Sequence, residues 1–513
     1  MRSLTASILL GALFIVLVTP PARADDAAAL LAKHKAFVGW QFGDGSVNSL
    51  ALSRTYTNAD GKVAQHASEL RVGLAYRRDY SSSKGQGGAT GFTGNVFWTT
   101  VGNGFTVPMI GDTAKSYLAI DALFMEGTPE LPAELRGTAT VGSKTVPIIR
   151  VSMNGALPMD LYVDPDTGAY VKAVVDPGGA REETIDIHSY TDLGNGKKMI
   201  GSWSFDSDKG AFAYIKAQLN VRIDAAQLHP PAPSATWTFA NPQPFPIKVT
   251  DSRIYVDATI NGTPGHFIVD TGAAGIFLTD DFANRARITT IDKSQAFGIG
   301  GVTTTLVRKA DSVVIGGNTL SNVVVGSLTS HYYYNTEEHT DGMIGFDLFG
   351  GAIVDLNLSA HTMTILDPSS NTANSKGGYP ITPDLTTGVP VVSAKADDHF
   401  DLNATLDTGG LDAVILSTDV ENQGANGIHL IVNSENTFLG ANATMGGVGG
   451  RGYARCGPLA KIQVGPFPYT QVEACESHDW ALHDGLIGFD FLKHFDFVFD
   501  YPHGVMYLIP HKE

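Results

Sequence analysis

Two heptapeptides constrain this chain more than its length does: DGMIGFD at residues 341–347 and DGLIGFD at residues 484–490. Each closes a series of features that recurs in the same order. An apolar run enters Asp-Thr-Gly, as FIVDTGAAGIFLT at 267–279 and ATLDTGGLDAVILS at 404–417. A glycine-rich tight turn follows, FGIGGV at 297–302 and GGVGGRG at 446–452. Then comes a hairpin pattern, SVVIGGNTLSNVVV at 312–325 and KIQVGPFPYTQVEAC at 461–475. Four ordered correspondences imply a tandem duplication of one β unit, and a duplicated unit whose copies meet brings like residues together.

The rest of the sequence sets the frame for that repeat. With 57 glycines, 17% charged residues and short Val, Ile and Thr runs between turn residues, the 513-residue chain reads as mostly β. A formal net charge of −17 argues against nucleic acid or an anionic membrane as the main partner. Arg2, the apolar stretch 8–18 and Ala22-Arg23-Ala24 form a secretory signal peptide over 1–24, and no later segment reaches transmembrane length. A periplasmic or secreted protein is therefore expected. Prolines crowd 230–246 and small polar residues crowd 366–380, which divides the chain into a β-rich accessory domain at 25–229, a linker at 230–243, a first lobe at 244–367, a linker at 368–377 and a second lobe at 378–513. Cys456 and Cys475 flank a hairpin turn at Gly465-Pro466 and face each other across it. In an oxidising compartment they would form a disulfide stabilising the fold by roughly 3 kcal/mol.

Asp-Thr-Gly alone is a weak signal. Asp166-Thr167-Gly168 follows Pro165 between two strand-like runs and is ordinary turn chemistry. Asp270 and Asp407 instead end apolar strands and enter glycine turns, where a carboxylate is partly desolvated. Gly272 and Gly409 allow close backbone approach, and Thr271 and Thr408 can hydrogen-bond across it. If the copies pair about a twofold axis, Asp270 and Asp407 meet. Carboxylates about 3 Å apart repel by roughly 5 kcal/mol at an effective dielectric near 20, so only one ionises. The ionised member can take a proton from water while the other gives one to a carbonyl oxygen.

At these residues the chain resembles retropepsin-like aspartic peptidases, with two lobes fused in tandem, over 244–510. The family pairs two Asp-Thr-Gly aspartates that share a proton. The resemblance implies catalysis by Asp270 and Asp407, with Thr271 and Thr408 locking their loops together. It also implies flap turns at Gly298, Ile299, Gly300 and Gly301 and at Gly447, Val448, Gly449 and Gly450. Ile344-Gly345 and Ile487-Gly488 would be structural braces behind the turns, and Asp341 and Asp484 turn-stabilising residues. The second lobe departs from the pattern: Gly410 replaces a small Ala or Ser, and Leu411-Asp412 adds a residue and a charge beside Asp407. In the accessory region, DDAAALLAKHKAFVG at 25–39 predicts a helix, and the segments 161–175 and 183–203 resemble the antiparallel sheets of LolA-like lipoprotein carriers. That resemblance implies a curved antiparallel sheet with an apolar concavity, and leaves open three roles: contact with lipid or lipoprotein, substrate delivery, and restraint of the protease.

The expected fold is thus two pseudo-symmetric retropepsin/pepsin-like β lobes preceded by a β-rich antiparallel-sheet domain with an N-terminal helix. The expected function is aspartic endopeptidase activity on peptides or unfolded protein, by a monomer needing no metal or cofactor. The alternatives are a catalytically inactive peptidase-like periplasmic protein that binds peptide or lipid, and lobes that self-pair between chains. Gly447–Gly452 matches G-x-G-x-x-G without the strand and helix of a nucleotide site, and reads as a loop. His331, Glu337, Glu338 and His339 lack convincing metal spacing, and they, like Trp480, could line a substrate cleft.

Overall fold

The structure is a computed structural model that describes residues 24–42, 44–82, 87–124, 131–179, 181–329, 338–371, 373, 375–398, 400–417, 443–477 and 483–511. Residues 1–23, where the sequence leads one to expect a signal peptide, and His331, Glu337 and Trp480 lie outside them. The chain is mostly β and forms two compact units, one of residues 1–47 and 115–214, the other of residues 48–114 and 215–513. No helix among the described residues is long and apolar enough to cross a membrane.

The first unit opens with the helix Ala24–Val38, as its sequence predicts. Strands Ala133–Val141, Lys144–Val151, Met159–Val163, Tyr170–Val175, Glu183–Gly194 and Lys197–Phe205 follow one another as antiparallel neighbours. Their inward residues, among them Ile149, Leu161, Val163, Ala173, Ile200 and Trp203, pack with Ala27 of the helix. Asp166-Thr167-Gly168 is a turn between two of these strands. The amides of Asp166 and Thr167 donate to the Asp164 carboxylate at 2.8 and 3.0 Å, and Gly168 takes φ +87°.

The second unit begins with an antiparallel meander, Ser49–Thr57, Val63–Val72, Ala75–Ser82, Gly87–Phe92, Phe97–Val101 and Phe105–Pro108. The duplicated lobes come next. In lobe 1, Ile254–Ile260 pairs antiparallel with Thr263–Val269, whose far neighbour is the short parallel strand Gly342–Ile344. In lobe 2, Val391–Ala396, Phe400–Leu406 and Gly485–Ile487 repeat that arrangement. Local chemistry fixes the turns. Gly316 and Gly317, at φ +55° and +85°, close the hairpin of Gly301–Ile315 with Asn318–Leu328, as the two-residue loop demands. Gly465-Pro466 does the same between Gly450–Val464 and Phe467–Ser477. Thr279 accepts a hydrogen bond from the amide of Phe282 and so caps the helix Asp280–Arg285.

The lobes are joined behind the turns by a shared sheet. Ile353–Asn357 of lobe 1 pairs antiparallel with Phe495–Asp500 of lobe 2, flanked by Thr362–Leu366 and Val505–Pro510. Apolar residues of both lobes, from Ile254 and Phe267 to Phe489 and Leu508, form one buried cluster. Pairing within one chain is what the duplication predicts, and it places the two Asp-Thr-Gly turns opposite each other.

Candidate active site

Asp270 and Asp407 stand on matching backbone. Each follows a strand that is parallel to an Ile-Gly strand, and each donates its amide to the isoleucine carbonyl: Asp270 to Ile344 at 3.0 Å, Asp407 to Ile487 at 2.9 Å. The turns are then stitched together. Thr271 Oγ1 donates to the carbonyl of Leu406 at 2.7 Å and accepts from the amide of Thr408 at 3.0 Å. Thr408 Oγ1 reciprocates, to Val269 at 2.8 Å and from Thr271 at 3.0 Å. Both threonines are buried, so each bond is made where water cannot substitute for it.

This lock sets the distance between the acids. A Cβ on Gly272 would stand 2.4 Å from Cγ of Asp407, and one on Gly409 would stand 2.4 Å from Cγ of Asp270. No residue but glycine fits at either position. Asp270 and Asp407 are 9% and 8% exposed, and their carboxyl groups lie close enough to act on each other. Burial and the neighbouring Asp407 carboxyl push Asp270 well above the usual carboxylate range. Burial also raises Asp407, opposed in part by the neighbouring Asp270 carboxyl and the amides of Gly409, Gly410 and Gly272. Two raised, interacting carboxyls titrate as a pair, and one proton shared between them relieves their repulsion. Despite the extra residue at Leu411-Asp412 the turns keep matching bonds, Ala273 donating to the carbonyl of Asp270 and Gly410 to that of Asp407, both at 3.3 Å. Asp412 lies in the cleft wall, its carboxyl raised by partial burial and by Glu473 and Asp490.

Ile344 and Ile487 are fully buried, and the glycines after them are crowded: a Cβ on Gly345 would lie 2.1 Å from the carbonyl oxygen of Ala273, and one on Gly488 2.1 Å from that of Asp412. Gly345 donates to Gly275 and Gly488 to Ala413, both at 3.1 Å. Asp341 and Asp484 also act alike. Each carboxylate accepts an amide of the strand leading to its turn, His266 at 3.1 Å and Asn403 at 2.8 Å.

Opposite the acids stand two hairpin tips. Thr289–Gly298 pairs with Gly301–Ile315 around Ile299-Gly300, and Ala443–Gly447 pairs with Gly450–Val464 around Val448-Gly449. The G-x-G-x-x-G match is this second tip. The tips interlock: Gly300 donates to the carbonyl of Val448 at 3.0 Å, and a Cβ on Gly449 would lie 2.3 Å from the carbonyl oxygen of Gly301. Their apolar residues cross over. Ile299 of lobe 1 packs on Ile415, Met445, Cys456, Cys475 and Leu486 of lobe 2, and Val448 of lobe 2 packs on Ala296 and Leu328 of lobe 1. Cys456 and Cys475 are directly opposed in register and disulfide-bonded. Asp270, Asp407 and both tips line one cleft of about 1180 Å³.

Sequence reasoning overlooked Arg253, which lines the cleft and whose charge acts on Asp270, and Asp347, whose carboxylate accepts the amide of Ile276 at 3.1 Å just beyond the Asp270 turn. Arg253 sits outside every repeated phrase and carried no signal, whereas Asp347 carried one as the last letter of DGMIGFD. Among the described residues no group of His, Cys, Asp or Glu is arranged to hold a metal ion. His339 lies 3.4 Å from Asp341.

Comparison with known proteins agrees with the first lobe's geometry. Residues 256–348 match a family model described as aspartyl protease, a span that holds the Asp270 turn and its brace and ends before Asp407. No curated protein matches the sequence. Among solved structures, the chain is similar to a retropepsin-like aspartic protease from Rickettsia conorii, with 16% identity and a TM-score of 0.19, over 26% of this chain and 90% of that one. It is similar to a LolA superfamily protein from Nitrosomonas europaea, with 12% identity and a TM-score of 0.28, over 38% and 94%. It is also similar to a DUF1329 family protein from Desulfovibrio piger, with 12% identity and a TM-score of 0.31, over 41% and 98%. The span 256–348 thus resembles the aspartyl proteases in sequence, and the two lobes repeat one peptidase-like fold.

Proposed function

We propose that the chain is an exported aspartic endopeptidase that hydrolyses peptide bonds with a water held between Asp270 and Asp407. The observation that carries this reading is the pair of buried, neighbouring carboxyl groups on equivalent, threonine-locked turns lining one cleft. Asp407 takes a proton from the water as its oxygen attacks the amide carbon, and Asp270 gives its proton to the carbonyl oxygen. The tetrahedral product is a neutral diol. It collapses when a proton passes to the amide nitrogen, the C–N bond breaks, and acid and amine leave with one proton again shared by the pair.

The substrate on this reading is an extended or unfolded polypeptide. Apolar walls on either side of the acids, Ala296 with Leu328 and Ile415 with Met445, favour apolar side chains flanking the cut. The disulfide is consistent with an oxidising, periplasmic or extracytoplasmic compartment. Both acids come from one chain, so a monomer suffices. The β-rich N-terminal region is proposed to contact lipid or lipoprotein, one of the roles its resemblance leaves open.

Mature protein should cleave an unstructured polypeptide such as denatured casein. Asp270→Asn and Asp407→Asn should each lower kcat by at least about a thousandfold while circular dichroism is unchanged. Equal cleavage by all three proteins would remove the assignment. Absence of cleavage by any, with retained peptide or lipid binding, would establish the inactive binding protein instead.

A further inference from the structure

We propose that Asn103 is a positioning residue for the Asp270 turn, and that the hairpin carrying it clasps both lobes from behind the cleft. Phe97–Val101 and Phe105–Pro108 form this hairpin, closed by Gly102-Asn103-Gly104 with both glycines at positive φ. Nothing in the repeated phrases refers to it, since it lies in the meander that precedes the lobes.

The Asn103 side chain is 4% exposed and its amide is fully engaged. Nδ2 donates to the carbonyl of Val324 at 3.0 Å and Oδ1 accepts from the amide of Val324 at 2.7 Å, so the carboxamide pairs with the strand Asn318–Leu328 as another peptide would. Nδ2 also donates to Oδ1 of Asp347 at 2.8 Å, and the Asn103 backbone amide points to the same oxygen at 3.3 Å. The other Asp347 oxygen accepts the amide of Ile276, the first residue of the strand leaving the Asp270 turn. A buried carboxylate thus sits between a donor from the hairpin and a donor from the turn. Burial pushes the Asp347 carboxyl up to about 6, which makes the donors aimed at it the condition for keeping its charge.

Around this contact the hairpin grips both lobes. Phe105 abuts Gly350 and Gly351 of lobe 1, where a Cβ would meet its ring at 3.2 and 2.4 Å. A methyl of Val101 lies 3.0 Å from the place a Cβ on Gly388 would take, and Ala274 of the Asp270 turn lies 3.1 Å from the same place. Pro108 packs on Gly504 of lobe 2, and Thr113 donates to Asp384 of lobe 2 at 2.8 Å. Asp384 pairs with Val391, and Thr387 and Val389 between them line the cleft. The second lobe has a different arrangement at the matching position. Asp490 binds the Tyr469 hydroxyl and Lys493. The clasp is therefore asymmetric, holding the Asp270 turn from behind.

The catalytic part of this proposal rests on the peptidase reading, so the test includes a readout that needs no turnover. Hydrogen exchange on full-length Asn103→Ala should show the Ile276 amide exchanging about tenfold faster or more than in wild type, with amides of 495–500 unchanged. Turnover should show kcat down about tenfold with KM within about twofold. Asn103→Asp keeps the side-chain volume and the acceptor to Val324 but sets a carboxylate against Asp347, and it serves where the alanine variant does not fold. Its loss of protection at Ile276, relative to wild type at the same pH, should be larger at pH 7 than at pH 5. Wild-type protection at Ile276 in either folded variant would overturn the clasp, whereas no cleavage by wild-type protein would count against the peptidase reading alone.

Discussion

At the residue scale, the site depends on groups that cannot change without leaving a buried partner unsatisfied. Thr271→Ala would strip the Leu406 carbonyl of its donor and the Thr408 amide of its acceptor. The expected loss is about 2–4 kcal/mol by urea unfolding, and Thr271→Ser, which keeps the hydroxyl, should lose under about 1. These roles were legible because the duplication repeats them: Asp, Thr and Gly each recur 137 residues apart, as the Thr271–Thr408 separation records. The last letter of the repeated phrase shows where such reading stops. Asp347 is buried against Asn103, while Asp490 is partly exposed beside Lys493. The identical letter meets different surroundings, and those come from residues far away in sequence.

At the element scale, hairpins were legible where their turns are made of glycine. Gly316-Gly317, Gly465-Pro466 and the two tips fall where local backbone chemistry puts them. The docking of the hairpin 97–108 was not legible, because it depends on packing between segments more than two hundred residues apart, as the Asn103–Asp347 separation of 244 shows. Two outcomes follow from the tips. Gly300→Ala would drive a methyl to 2.3 Å from the carbonyl oxygen of Gly450, so the tips should part and KM rise several-fold, with the melting temperature within about 2 °C of wild type. Replacing Cys456 and Cys475 together by alanine should cost about 3 kcal/mol in chemical unfolding. It should also raise KM, since both residues line the cleft and belong to the apolar cluster on which Ile299 rests.

At the scale of the whole molecule, composition marked the proline-rich stretch after 229, and packing groups residues 48–114 with the two lobes, a relation no local composition records. The unit so formed carries buried acids of opposite tendency, which sets its response to pH. Asp270, Asp407 and Asp347 bind protons more tightly folded than unfolded, so stability rises as pH falls from 7 through about 6 toward the ordinary value of 3.8. Glu69 opposes this in stronger acid. Burial alone would raise it, but Arg78, Arg71 and Arg54 outweigh burial and hold it at about 2, so its contribution is lost as pH falls below the ordinary 4.5. Melting temperature measured against pH should therefore peak at about 4–5 and decline on both sides.

The shared proton is the central claim, and the pH dependence of kcat/KM on an unstructured polypeptide tests it most directly. The account predicts a bell: activity falls in acid when Asp407 is protonated, and falls again toward neutral pH when Asp270 loses the proton it must donate. Asp270→Asn should be inactive across the whole range. A wild-type rate that keeps climbing through pH 8, or an Asp270→Asn variant as fast as wild type, would contradict it.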